Sequence, residues 1–263
     1  MPTAQPAPAT KEPDISSNHF RNEVSGTMHE ATAPIPRYAL YFSPSEATPL
    51  ACLGNEWLGR DAATDVRSIP ELPSEISQSE WSQSTDAPAR YGFHATLKPP
   101  FRLAEGATLQ DLQQAVRSFA ARKEAFTVPH LVIGTLGHFL ALILSENSET
   151  FSGFAADCVC DFDYFRAPAS ESETNRRMHG SLTQRERENL LRWGYPYVLD
   201  TWKFHMTLTC SLAEGPLKLF RRHLDRRFAE VCVEPLRIDS VCLYEEPQAG
   251  MPFRLLERFG LGL

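Results

Sequence analysis

The chain has no basic surplus. Its 263 residues carry 26 Lys and Arg against 33 Asp and Glu, a formal net charge of -7. Broad binding of nucleic acid or anionic membrane favours basic surfaces, so neither is expected, although a local basic site is still allowed. Long apolar runs are missing too, and nothing approaches the roughly 18 consecutive apolar residues of a membrane span. The N-terminus lacks the apolar core of a secretory signal, which makes the cytoplasm the expected location. A zinc-type cysteine pattern is also absent. Cys158 and Cys160 enclose one residue, where zinc-binding pairs enclose roughly two to four, and no second pair follows. With Cys52, Cys210, Cys232 and Cys242 they read as free thiols, since a cytoplasmic chain of this size needs no disulfides. Neither a metal nor a cofactor is expected.

What is present is a phrase used twice. Phe93-His94-Ala95-Thr96-Leu97 returns 111 residues later (205 minus 94) as Phe204-His205-Met206-Thr207-Leu208. Aromatic and β-branched residues alternate with others in each copy, the mark of a short strand. Side chains two apart on a strand share a face. His94 and Thr96 therefore point one way, and so do His205 and Thr207. Phe93, Ala95 and Leu97, and likewise Phe204, Met206 and Leu208, point into a core.

Around the phrases the chain has a regular order. Residues 1 to 35 are rich in Pro, Ala, Thr and Ser and predict a disordered tail, with Met28 as an alternative start. A domain over 36–263 follows. Arg37 to Phe42 predicts a strand, and Ser45 a helix cap. Residues 61 to 90 are polar with Pro70, Pro73 and Pro88, and predict a loop with short helical turns. Thr108 caps a helix through Leu112, Val116 and Phe119. Strands are predicted over 126–133 and 139–144, and a helix over 151–159. Thr183 caps a further helix that buries Leu190 and Leu191 and stops at Gly194. Then come the second phrase, a helix through Leu217, Phe220, Leu224 and Phe228, a strand over 231–243 with a break near Pro235, and a last strand over 253–259. Both halves run motif strand, helix, strand, strand, with pseudo-repeats at about 91–146 and 202–260. The expected fold is α+β: two antiparallel-sheet lobes, helices outside, motif strands facing across a central cleft.

Two opposed imidazoles suit acid–base work near neutrality. One takes a proton from water or a hydroxyl while the other protonates the departing oxygen. The hydroxyls of Thr96 and Thr207 can hold non-bridging phosphate oxygens. Nothing in this chemistry demands a metal. Lys98, Arg102 and Lys203 flank the motifs, and Arg176, Arg177 and Arg185 precede the second. Lys98 and Lys203 read equally as phosphate contacts or as solvated strand ends. The arginines mix with Glu186 and Glu188 and read first as an exposed helix face. Tyr91, Tyr195 and Tyr197 can stack on a base or ribose, or serve as loop packing.

The paired phrases resemble the two-histidine phosphoesterase superfamily, to which LigT-like enzymes and cyclic phosphodiesterases belong. The stretch from Tyr91 to Phe101, together with Trp193-Gly194-Tyr195-Pro196-Tyr197, resembles a subgroup encoded beside phosphonate-degradation genes. The resemblance covers residues 37 to 260. It implies a duplicated bilobal fold, with His94, Thr96, His205 and Thr207 as the catalytic set. Tyr91, Lys98, Lys203, Tyr197 and Arg176 become the candidate substrate contacts. It also implies metal-independent opening of a small cyclic phosphate ester, with a ribose 1,2-cyclic phosphate of phosphonate catabolism as first candidate. RNA 2′,3′-cyclic phosphate end processing, a ligase-like activity and a non-catalytic cyclic phosphate sensor are the alternatives. The expected partner is a small phosphorylated sugar or nucleotide, and the expected assembly a monomer or weak dimer.

Overall fold

The computed structural model describes residues 35–178 and 182–262. The tail expected over 1–35 lies, apart from Ile35, outside the described residues. Strand β1 (Arg37–Phe42) forms where expected. Tyr38, Leu40 and Phe42 enter the main core, while Ala39 and Tyr41 face the other side of the sheet. Helix α1 (Pro49–Leu58) is capped by Thr48 rather than Ser45; the Thr48 hydroxyl accepts from the Ala51 amide, and Pro49 opens the helix.

The loop expected over 61–90 needs correction. Gln78–Tyr91 is a helix, α2, opened by a reciprocal Ser77–Glu80 capping box. Its buried face is Trp81, Ser84, Thr85 and Pro88. Three of these four are small or polar, so the helix carries no apolar period for a sequence reading to find. Trp81 Nε1 donates to the Trp57 carbonyl at 2.8 Å and fixes α2 on α1.

Strand β2 (Ala95–Phe101) and helix α3 (Leu109–Ala121) follow, the latter capped by Thr108 as expected. The strand expected over 126–133 is two, β3 (Phe126–Val128) and β4 (Leu131–Leu136), with Pro129 between. Next are β5 (Phe139–Leu144), α4 (Glu149–Asp161), α5 (Glu171–Met178) and α6 (Gln184–Trp193). Thr183 and Gly194 bound α6 as expected, but Leu191 is 65% exposed and only Leu190 is buried. The second motif contributes a short strand, β6 (Met206–Thr207). Helix α7 (Glu214–Phe228) leads to β7 (Leu236–Ile238), β8 (Ser240–Glu246) and β9 (Arg254–Gly260).

The fold is α+β, and its two antiparallel lobes are halves of one sheet. The order is β4-β5-β6-β2-β1-β8-β9, and β3 pairs separately with β7. The halves join where β2 meets β6, through Ala95 opposite Met206. In one half β1 lies between β2 and β8; in the other β5 lies between β6 and β4. The matching units are therefore β1–β4 and β5–β8, with β9 appended. They are wider than the repeats at 91–146 and 202–260, because each unit begins on a strand well before its motif. The closing strand of each unit pairs with the opening strand of the other: β4 with β5, and β8 with β1.

One large core joins the sheet to the helices. Leu112, Val116 and Phe119 enter it from α3, Phe151 and Phe154 from α4, Phe220 and Phe228 from α7. Phe93, Ala95, Leu97, Phe204, Met206 and Leu208 all belong to it. Burial of that much apolar surface is the dominant stabilising term. The opposite face near β1 carries a smaller cluster of Ala39, Tyr41, Ala62, Cys242, Tyr244 and Phe253.

Candidate active site

Both histidines sit just ahead of their strands and are oriented the same way. His94 Nδ1 lies 2.9 Å from the Gly92 carbonyl, and His205 Nδ1 lies 2.8 Å from the Lys203 carbonyl. A carbonyl only accepts, so each Nδ1 carries the proton that it donates. Each Nε2 is left as the working nitrogen. Thr96 Oγ1 is 3.3 Å from His94 Nε2, within reach of donating to it.

Backbone conformation makes this geometry. Gly92 ends α2 at φ 80°, and an added Cβ there would meet the Ala62 Cβ at 2.6 Å. Only glycine takes that position without strain. Its carbonyl is thereby aimed at His94. On the other side of the ring, Tyr41 stacks at 3.7 Å between centroids and 24° between planes. Two tryptophans tie the motif backbones down. Trp57 Nε1 donates to the Leu208 carbonyl at 2.9 Å, and Trp202 Nε1 to the Thr96 carbonyl at 2.8 Å.

Burial lowers the pKa of both imidazoles. His94 is pushed down to about 4, mainly by desolvation, with the charge of His205 adding to the effect and the Gly92 hydrogen bond opposing it. His205 is lowered by desolvation against the Lys203 hydrogen bond. That the His205 charge acts on His94 places the two rings in one electrostatic neighbourhood. Tyr91, His94, Phe139, Thr207, Cys210 and Ser211 line a common cavity of about 380 Å³. His205 adjoins it through Phe139, at 6.1 Å between ring centroids.

The expected substrate contacts fare unevenly. Tyr91 borders the cavity and stacks on Phe253 at 5.1 Å. Lys98 does not join the histidines. Leu40 faces Lys98 and Tyr41 faces Thr96, so Leu97 is the extra residue of a β-bulge. The bulge breaks the alternation and turns Lys98 into the helix-side core, where it is 1% exposed. There its ammonium donates to the Val159 carbonyl at 3.0 Å, near the C-terminus of α4, and to Asp163 at 3.2 Å. Lys203 has an exposed side chain and meets His205 through its carbonyl alone. Tyr197 is 47% exposed and packs edge-on against Tyr195. Arg176 is exposed on α5, whereas the adjacent Arg177 turns inward to the Gly194 carbonyl and Glu173.

Residues not singled out in the sequence also shape the site: Tyr41, Gly92 for its carbonyl, and Phe139. The Lys98 bulge has one sequence signal, the Pro99-Pro100 pair that follows it inside a central strand. Tyr41 has a weak one, since it alternates with core residues along β1.

A family model described as "Protein of unknown function (DUF1045)" matches residues 96–254. A ribose 1,5-bisphosphate phosphokinase PhnN of Janthinobacterium sp. (strain Marseille) is 39% identical over 225 residues, which cover 82% of this chain and 49% of that protein. A protein of the same name from Laribacter hongkongensis (strain HLHK9) is 35% identical over 219 residues, 83% of this chain and 50% of that one. The chain thus spans about half the length of the curated relatives it matches. Among solved structures, E. coli LigT complexed with 3′-AMP aligns over 87% of this chain and 99% of its own, at 11% identity and a TM-score of 0.39.

Proposed function

The chain belongs to the family described as "Protein of unknown function (DUF1045)", and we propose that it is a metal-independent cyclic phosphodiesterase acting on a small sugar phosphate. One observation carries this reading: two imidazoles are held alike, each with Nδ1 bonded to a carbonyl and Nε2 left free. In the proposed reaction water attacks phosphorus and loses its proton to one Nε2. The bond from phosphorus to a ring oxygen breaks, and the other imidazolium protonates that oxygen. The product is a phosphomonoester with a free hydroxyl. Thr96 and Thr207 steady the non-bridging oxygens as charge builds on them. The acid–base pair supplies both proton transfers, so no metal is required for either.

His94 is the better base. Its pKa of about 4 keeps it neutral at pH 7, with the Nε2 lone pair available to accept a proton. His205 then serves as acid, with the anionic substrate drawing a proton onto it.

The first substrate candidate is the 1,2-cyclic phosphate of ribose 5-phosphate. Breaking its bond to the 2-oxygen yields ribose 1,5-bisphosphate, the compound for which both relatives are named. The test is turnover of that compound beside a panel of 2′,3′-cyclic nucleotides, with chelator present. Turnover of the sugar phosphate is expected, with kcat lower by a factor of about 10² to 10⁴ in both His94→Ala and His205→Ala. Unchanged turnover in either variant overturns the mechanism. Turnover of nucleotides alone overturns the substrate.

A further inference from the structure

A cleft at the other end of β1 is lined by Arg37, Lys98, Arg102, Arg166, Arg177 and Glu173. Its ion pairs share a peculiarity. Arg37 and Arg90 both bind Glu246. Arg102 and Arg177 both bind Glu173. Lys98 and Arg166 both bind Asp163. Six cations thus share three carboxylates, which leaves three positive charges (6 minus 3) without a partner among these pairs. A chain of net charge -7 gathers five of these six cations, all but Arg90, at one cleft. The side chains of Arg37, Arg102 and Arg177 are between 24% and 35% exposed, open to a ligand yet partly shielded from water.

The cleft begins on the strand that also carries the tyrosine under His94. Arg37, Ala39 and Tyr41 alternate along β1 and share the face on which Tyr41 stacks under His94. From Arg37 to Tyr41 is four residues, about 13 Å of strand, and an arginine side chain can cover part of that distance. The Arg37 guanidinium lies 5.9 Å from the Phe253 ring, Phe253 stacks on Tyr91 at 5.1 Å, and Tyr91 lies 6.3 Å from His94 between ring centroids. These rings bridge the two places.

We propose that this cleft is the subsite for a second phosphate on the substrate, a terminal phosphomonoester held chiefly by Arg102 and Arg177. The inference rests on the cyclic phosphodiesterase reading. A phosphomonoester is close to a dianion at pH 7, whereas the cyclic diester at the histidines carries a single charge. This cationic excess suits the dianion, and guanidinium forks match its oxygens in pairs. Glu173 competes for the same two arginines until the ligand arrives.

Calorimetric titration of the full chain with ribose 5-phosphate tests the subsite apart from catalysis, because this sugar has the terminal phosphate and no ring phosphate. Wild type should bind it. Arg102→Gln and Arg177→Gln should each bind about tenfold or more weakly. Glu173→Gln frees both arginines and should bind more tightly, a direction that mere loss of structure does not produce. No binding by wild type, or weaker binding by Glu173→Gln, overturns the subsite. A kinetic arm separates the two readings. Wild type should prefer the 5-phosphorylated cyclic ribose over its unphosphorylated analogue by at least about tenfold in kcat/KM, and Arg177→Gln should erase most of that preference. Binding with no turnover keeps the subsite and removes the catalytic reading. Turnover without binding of ribose 5-phosphate does the reverse.

Discussion

The proton inventory of His94 has consequences beyond catalysis. Its folded pKa of about 4 lies below the ordinary value of 6.5. Between those limits the unfolded chain takes up a proton that the native ring refuses, so stability falls as pH drops from 6.5 towards 4. Below 4 this group causes no further loss. The shift of 2.5 (6.5 minus 4) corresponds to about 3 kcal/mol at most. Urea unfolding from pH 4 to 8 should show that slope, and His94→Gln should flatten it. Activity follows the same group. With His94 as base, the acid limb of kcat/KM should fall well below pH 6.5, and a limb centred at 6.5 would argue for a different base. Much of this site is legible in the chain. The repeated His-x-Thr phrase names the ring pairs, and alternation gives their common face. What the alternation rule misses is local. One extra residue, Leu97, sends Lys98 to the opposite side of the sheet.

At the scale of elements, helix α2 sets the entry to the first motif. It presses Trp81 against α1 and ends at Gly92, whose carbonyl holds His94. Gly92→Ala must move either φ 80° or Ala62, so it should cost about 1–3 kcal/mol and lower kcat together. A thermal melt and a kinetic assay on the same preparation check it; full activity in the variant would show that the carbonyl is dispensable. The α4–β2 contact predicts a different split. Lys98→Ala removes one partner of a buried ion pair and should destabilise the protein by about 3 kcal/mol. Lys98→Met keeps the volume and should recover part of that loss in denaturant unfolding. Capped, periodic helices such as α3 and α6 are visible in the sequence. Helix α2 is not, because its inner face is mostly serine, threonine and proline rather than leucine.

Taken whole, the molecule is two units that finish each other. Sequence order suggests the duplication but not the exchange, because strand partners far apart in the chain leave no local pattern. The exchange carries its own prediction. Residues 35–137 made alone lack β8 beside β1, and residues 138–262 lack β4 beside β5. Neither piece should give a cooperative unfolding transition. Mixed, the two should regain one, followed by circular dichroism; independent folding of either would contradict the strand order. The same pairing sets a schedule for synthesis. Arg37 opposes Glu246 and Tyr41 opposes Cys242, so one edge of β1 waits for β8, made about 200 residues later (242 minus 41). At about 5–20 residues per second on the ribosome, that wait is on the order of ten to forty seconds. Throughout it, the apolar run Tyr38 to Phe42 keeps an unpaired edge exposed. Any codon pause late in the message therefore lengthens the nascent chain's dependence on chaperones.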